Sequence, residues 1–180
     1  MNAIKSPGGN RGGEQEQRNL PNCSTKKIEF NENPLPGNKV AEIGVLSACV
    51  ADSMKLDPVR AIVGPDDFYM GGVKAVFTKM LELHSKDSGL TGSPFLVRIE
   101  TSFEHHQDYQ KFQDLFDSLR PITGTTATHF ARIVHETASR RRIIALTYEA
   151  NLKAFDPAFD LNDIIEELLE PLSRLEGGCL

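Results

Sequence analysis

The residues of this sequence that could do chemistry begin with its histidines, which could bind a metal or transfer protons. His105 and His106 are neighbours, and adjacent side chains point in different directions on a helix, so they make a poor metal site. His129 and His135 are six residues apart and do not share a helix face. The histidines therefore predict no metal site.

The three cysteines are Cys23, Cys49 and Cys179, an odd number without a CxxC pair. Neither a disulfide framework nor a zinc site is expected, and reduced thiols are the default. Cys49 lies between Ala48 and Val50 on an apolar helix and has no neighbouring base, so nucleophilic catalysis is not expected.

No phosphate-binding loop GxxxxGK[ST] occurs in the sequence, so hydrolysis of ATP through such a loop is not expected. The acidic residues Glu166, Glu167 and Glu170 lie on the face of a predicted helix opposite its row of leucines. No acid or base that could act as their catalytic partner is evident in the sequence. A solvated helix face explains them. The sequence thus predicts no catalytic, cofactor or metal residues, and an enzyme is the least favoured class.

The one basic cluster is Arg140-Arg141-Arg142, which lies within a helix and fans over most of its circumference. These arginines could contact phosphates, but arginines in an acidic domain more often pair with carboxylates across a fold or a subunit contact. The formal net charge of -5 argues against binding nucleic acid over the whole surface.

The length of 180 residues, 39% of them hydrophobic, suits one domain with a sizeable core. No apolar stretch could cross a bilayer and no signal peptide is visible, so we expect a soluble, cytoplasmic protein. Residues 1–36 are rich in proline and glycine with few apolar residues, and they predict a disordered N-terminal arm.

The pattern from Asn38 onward is helical. Apolar residues at steps of three and four predict a first helix over about 38–52, capped by Asn38. A short second helix starts at Asp57-Pro58, runs over Val59, Ile62 and Val63, and ends at Gly64-Pro65. Asp66 and Asp67 are then placed as N-capping carboxylates ahead of Phe68 and Tyr69. Further apolar stripes predict helices over Val73–His84, Phe95–Phe103 and Tyr109–Leu119. A strand is the alternative for Phe95–Phe103. Arg120-Pro121 ends the helix over Tyr109–Leu119.

The C-terminal third predicts two long helices. A periodic apolar run extends from Phe130 to about Phe155, and the short loop 156–160 forces the next helix, Leu161–Leu175, to fold back beside it. The fold class is therefore all-α, a compact helical head followed by a long C-terminal helical hairpin. Its apolar seam is explained either by self-association or by packing against the head.

The order of these motifs resembles one family, the N-terminal domain of DnaB-type replicative DNA helicases. The similar blocks are Ala41–Asp52 (A-E-x-x-V-L-G in the family), Asp66–Tyr69 (D-F-Y), Val76–Leu83 (I-F-x-x-M-x-x-L) and Thr126–Glu136 with Arg141–Ile144 behind it. The resemblance runs from about Leu35 to Leu175. Ser47 stands where a glycine is usual and Phe130 where a tyrosine is usual, and Phe95–Leu119 lacks the family's D-x-V-T-L and G-G-x-x-Y-L runs.

The resemblance implies a noncatalytic domain over 37–176, with a head of about 37–122, a hairpin of about 124–176 and a tail or linker start at 177–180. It implies a dimer through the hairpin, a place in a hexameric collar, and docking of primase and a helicase loader, with little or no DNA contact. The expected interface residues are Ile144, Tyr148, Arg141, Arg142, Leu168 and Leu172. The alternatives are a stand-alone regulator that binds a helicase, loader or primase, and a DNA-binding module that uses Arg140–Arg142.

Overall fold

The structure, a computed structural model, describes residues 34–107, 109–119 and 126–177, with only the backbone at 176 and 177. Every regular element within these ranges is helical, which confirms the all-α fold class. The helices are α1 Lys39–Ala51, α2 Leu56–Arg60, α3 Gly71–Lys86, α4 Gly92–Thr101, α5 Tyr109–Ser118, α6 Ala127–Ala154 and α7 Leu161–Gly177. Short 3-10 turns at Ser53–Lys55 and Pro65–Asp67 precede and follow α2.

Some predictions fall outside the described residues. These are the arm up to residue 33 with Cys23, the helix stop at Arg120-Pro121, and the last three residues with Cys179. In the described part of the chain, no helix combines the length and the apolar character needed to cross a lipid bilayer.

Helix α1 is the centre of the head. Asn38 caps it by accepting a hydrogen bond from the Ala41 backbone N–H at 3.0 Å, as predicted. From Ala41 to Val50 every residue except Ile43 is buried, because α3, α4 and α6 all pack around this helix. A short helix that is apolar on nearly all sides is stable only inside such a core.

Two local predictions near α2 are wrong. Helix α2 ends at Arg60, so Ile62 and Val63 lie beyond it. Asp66 and Asp67 do not cap the next helix either, because the backbone at Phe68 is extended and α3 begins only at Gly71. The extended backbone allows the Phe68 ring to pack at 4.8 Å from the ring of Phe77 inside the core, and this burial overrides the local capping preference.

The segment after α3 is helical, so the strand alternative is wrong. Helix α4 ends at Thr101, two residues before Phe103, whose ring lies in the turn that leads to α5. There it packs at 4.4 Å from the ring of Phe112 and 5.9 Å from that of Phe116. Aromatic burial rather than helical periodicity therefore places Phe103 in the core.

The predicted helical hairpin is confirmed. The first half of α6 packs on the head through small and branched residues that are buried: Ala127, Ala131, Val134 and Ala138. The second half extends past the head and pairs with α7. An ion pair between Lys153 and Glu167 joins the two helices near the tip.

The Cys49 thiol is buried in the core, and burial raises its pKa from 9.0 to about 12. The nucleophilic form of cysteine is the thiolate, so the native thiol stays neutral and unreactive at mildly alkaline pH. We expect iodoacetamide to modify Cys49 only as fast as the chain unfolds, and rapidly in denaturant. Peptide mapping by mass spectrometry checks this, and fast modification of Cys49 in the native chain would contradict it.

Candidate functional site

A buried carboxylate fixes the segment that leads into α3. Glu42 of α1 is fully buried, and its two oxygens accept hydrogen bonds from the backbone N–H groups of Tyr69 and Met70, each at 3.0 Å. Met70 is the residue before the first turn of α3. Glu42, which belongs to α1, therefore accepts hydrogen bonds from backbone N–H groups at the start of α3. Glu42 was not among the predicted site residues, although it is the one charged residue in the apolar run Ala41–Val50, which was a signal.

Asp67 is the centre of a second polar cluster, where the hairpin meets the head. Only 5% of the residue is exposed. Its carboxylate accepts the Gly64 N–H at 2.9 Å and pairs with the Arg142 guanidinium of α6. The same carboxylate lies 4.0 Å from Nδ1 of His135. Asp67 thus joins its own turn to the long helix of the hairpin.

Arg141 joins the same two parts of the molecule through backbone groups. Its Nη1 donates to the carbonyl oxygen of Pro36 at 2.7 Å, and its Nη2 donates to the carbonyl oxygen of Asp67. The guanidinium also lies 5.5 Å from the centre of the Tyr69 ring, within cation–π distance. Planar guanidinium groups suit such multiple contacts better than lysine does.

The arginine cluster is therefore divided between two tasks. Arg141 and Arg142 bind the head, whereas Arg140 is exposed and pairs with Glu136 one turn before it, at 2.6 Å. Arg140 and Arg142 thus make the carboxylate pairs expected of arginines in an acidic domain, whereas Arg141 binds backbone carbonyl oxygens.

The second half of the hairpin carries a row of exposed apolar side chains, which we call the hairpin stripe: Ile144, Tyr148 and Leu152 of α6. They follow one another at steps of four residues, so they share one face of the helix. Their exposed fractions are 43%, 45% and 53%. About half of each side chain is therefore open to solvent.

The six residues predicted as an interface lie in three places. Ile144 and Tyr148 are in the hairpin stripe, and Arg141 and Arg142 are at the base of the hairpin. Leu168 and Leu172 of α7 are partly buried, in the inner part of the hairpin. Further exposed apolar residues of α7, which were not among the predicted interface residues, are Leu161, Ile165 and Leu169.

The polar and apolar groups described above make hydrogen bonds, ion pairs and apolar contacts. Nowhere among the described residues do three or more His, Cys, Asp or Glu side chains come together as a metal site would need. The carboxylates of Glu42 and Asp67 hold backbone N–H groups and a guanidinium, and the hairpin stripe presents apolar surface to solvent.

Comparisons with known proteins agree with this architecture. No match is found among curated protein sequences. The crystal structure of the N-terminal domain of DnaB helicase from Mycobacterium tuberculosis is similar, with a TM-score of 0.62 and 19% sequence identity, over 76% of this chain and 99% of that chain. The family model of the DnaB-like helicase N-terminal domain matches residues 34–136. Because this match spans more than half of the sequence, the chain belongs to the family of DnaB-like helicase N-terminal domains.

Proposed function

We propose that this chain is a noncatalytic assembly domain of a replicative helicase. Two copies pair through the hairpin stripe, the pairs take their place in a hexameric collar, and the collar docks primase and a helicase loader. In this proposal the domain spans 37–176, with the head at 37–122 and the hairpin at 124–176. Residues 1–36 are taken as an N-terminal arm and 177–180 as a tail or the start of a linker.

The observation that carries the proposal is the exposure of Ile144, Tyr148 and Leu152 on a helix that extends past the head. Exposed apolar side chains in a continuous row are typical of protein interfaces. A second copy of the same hairpin offers a matching row, and a two-fold axis brings equal surfaces together. This favours self-association over packing against the head, since about half of each side chain in the row is exposed in the single chain.

Sedimentation of the wild-type chain and the variant Ile144→Asp tests the proposal. The wild type should show reversible dimers or larger species that increase with concentration. A carboxylate at position 144 would have to be desolvated in the interface, so we expect Ile144→Asp to weaken self-association at least about tenfold.

Val97→Asp is the matched control, because Val97 is an exposed apolar residue of α4, on the head, with an exposed fraction of 58%. It adds the same charge away from the hairpin stripe and should leave self-association unchanged. Circular dichroism confirms that both variants keep their helices. A wild type that stays monomeric at high concentration would refute the proposal, and so would equal weakening by Val97→Asp.

A further inference from the structure

A cleft of about 310 Å³ lies at the base of the hairpin, between α6 and the end of α7. We call it the hairpin-base cleft. It is lined by His135 and Arg142 of α6 and by Pro171, Arg174 and Leu175 of α7. The hairpin stripe does not line it, so the two features are separate surfaces of the same hairpin.

The polar side chains that line this cleft are all basic. Among the described residues of the lining there is no carboxylate. Arg142 uses Nη2 in its pair with Asp67, and Arg174 uses Nη2 in its pair with Glu170 at 2.6 Å. A guanidinium has further N–H groups beyond the one engaged, so both arginines can still donate to a ligand.

His135 adds two buried ring nitrogens without a hydrogen-bond partner in the described part of the chain. The nearest charged oxygen is that of Asp67, 4.0 Å from Nδ1, which is too far for a hydrogen bond. Buried polar atoms in folded proteins are nearly always paired, so the hydrogen bonding beside the cleft is incomplete at His135.

The cleft continues into an apolar half of about 250 Å³. This half shares Arg142, Pro171 and Leu175 with the basic half and adds Ala145 and Leu146. A ligand that fills both halves needs an anionic group at one end and an apolar or flat aromatic body at the other. The volume of the basic half, about 310 Å³, is at the small end of the range for sites of small molecules, about 300–1,000 Å³.

We propose that the hairpin-base cleft binds a phosphate ester, with its phosphate between the guanidinium groups of Arg142 and Arg174 and its apolar or aromatic body along Leu146 and Pro171. Phosphate fits because guanidinium groups match its oxygen atoms in pairs. Because each arginine is already paired with a carboxylate, the attraction comes from the remaining guanidinium N–H groups rather than from a net positive charge.

Isothermal titration calorimetry of the full 180-residue chain with phenyl phosphate and with inorganic phosphate tests the proposal. Phenyl phosphate should bind saturably with one site per chain, and more tightly than inorganic phosphate because its ring occupies the apolar half. Arg174→Ala should weaken the binding of phenyl phosphate at least about tenfold, the loss of one charged donor.

Arg140→Ala is the matched control. Arg140 and Arg174 are both exposed, and each pairs at 2.6 Å with a glutamate four residues earlier, but only Arg174 lines the cleft. Arg140→Ala should leave binding unchanged. Absence of saturable binding by both phosphates would overturn the proposal, as would equal losses in the two arginine variants, which would indicate diffuse surface charge.

Ile144→Asp separates this proposal from the one on self-association. Ile144 does not line the cleft, so the variant should dissociate the chains and still bind phenyl phosphate with unchanged affinity. Loss of phosphate binding in Ile144→Asp would overturn a site contained within one chain.

Discussion

Glu42→Ala is expected to lower the free energy of unfolding by about 3 kcal/mol, because it leaves the backbone N–H groups of Tyr69 and Met70 without their acceptor. It also opens a cavity, since Glu42 is fully buried. A domain of this size is stable by about 5–15 kcal/mol, so the loss is a large share of its stability. Urea denaturation followed by circular dichroism measures it.

Two comparison variants make the result specific. Glu42→Gln keeps the shape and one acceptor oxygen but turns an NH₂ group toward the second N–H, so its loss should be about half as large. Glu82→Ala removes an exposed glutamate of α3 that pairs with Lys79 at 2.8 Å, and its denaturation midpoint should hardly move. The same midpoint shift for Glu42→Ala and Glu82→Ala would show that the buried carboxylate is not a structural tie.

The hydrogen bonds of Glu42 also affect the hairpin, through Tyr69 and Arg141. Its two hydrogen bonds fix Tyr69, whose ring faces the Arg141 guanidinium, and Arg141 in turn binds the carbonyl oxygens of Pro36 and Asp67. The direction in which the hairpin leaves the head therefore depends on the turn that Glu42 and Asp67 hold. Weakening that turn would change the position of the hairpin stripe relative to the head.

Most of the helices were predictable from periodicity, since amphipathic segments bury one face whatever their neighbours. The boundaries of α1 and α6 agree with the predicted ones to within a few residues, as the cap at Asn38 and the apolar run that ends near Phe155 led us to expect. The hairpin followed from the short loop 156–160, which allows only an antiparallel neighbour.

The hydrogen bonds and ion pairs of the site could not be predicted from the sequence, because they join residues that are far apart in the chain. Glu42 reaches Tyr69 over 27 positions and Asp67 reaches Arg142 over 75. Spacing rules describe partners within one helix or turn, as for Arg140 and Glu136, and they are silent on such pairs. The prediction that Asp67 caps the next helix is wrong for a related reason, because the burial of Phe68, a tertiary contact, decides the local backbone.

Gly44 of α1 packs directly against the Phe130 ring of α6. A Cβ at this position would lie 2.8 to 2.9 Å from three atoms of the Phe130 ring, including Cγ. Real Cβ atoms are almost never that close to another side chain, and because Cγ is involved, turning the ring about its own axis would not relieve the contact. Gly44 therefore lets the two helices pack around an aromatic ring.

Gly44→Ala is accordingly expected to lower the free energy of unfolding by about 2 kcal/mol, the cost of overpacking. Helix propensity alone predicts the opposite sign, a gain of about 1 kcal/mol. Gly72→Ala is the control, since a Cβ there meets its nearest atom at 3.7 Å, and it should be neutral or slightly stabilising. In the background of Phe130→Ala the Gly44→Ala change should become stabilising, because the ring is gone and only propensity remains. Urea denaturation of the four chains in this cycle decides the matter, and stabilisation by Gly44→Ala with Phe130 present would refute the close packing of α1 on α6.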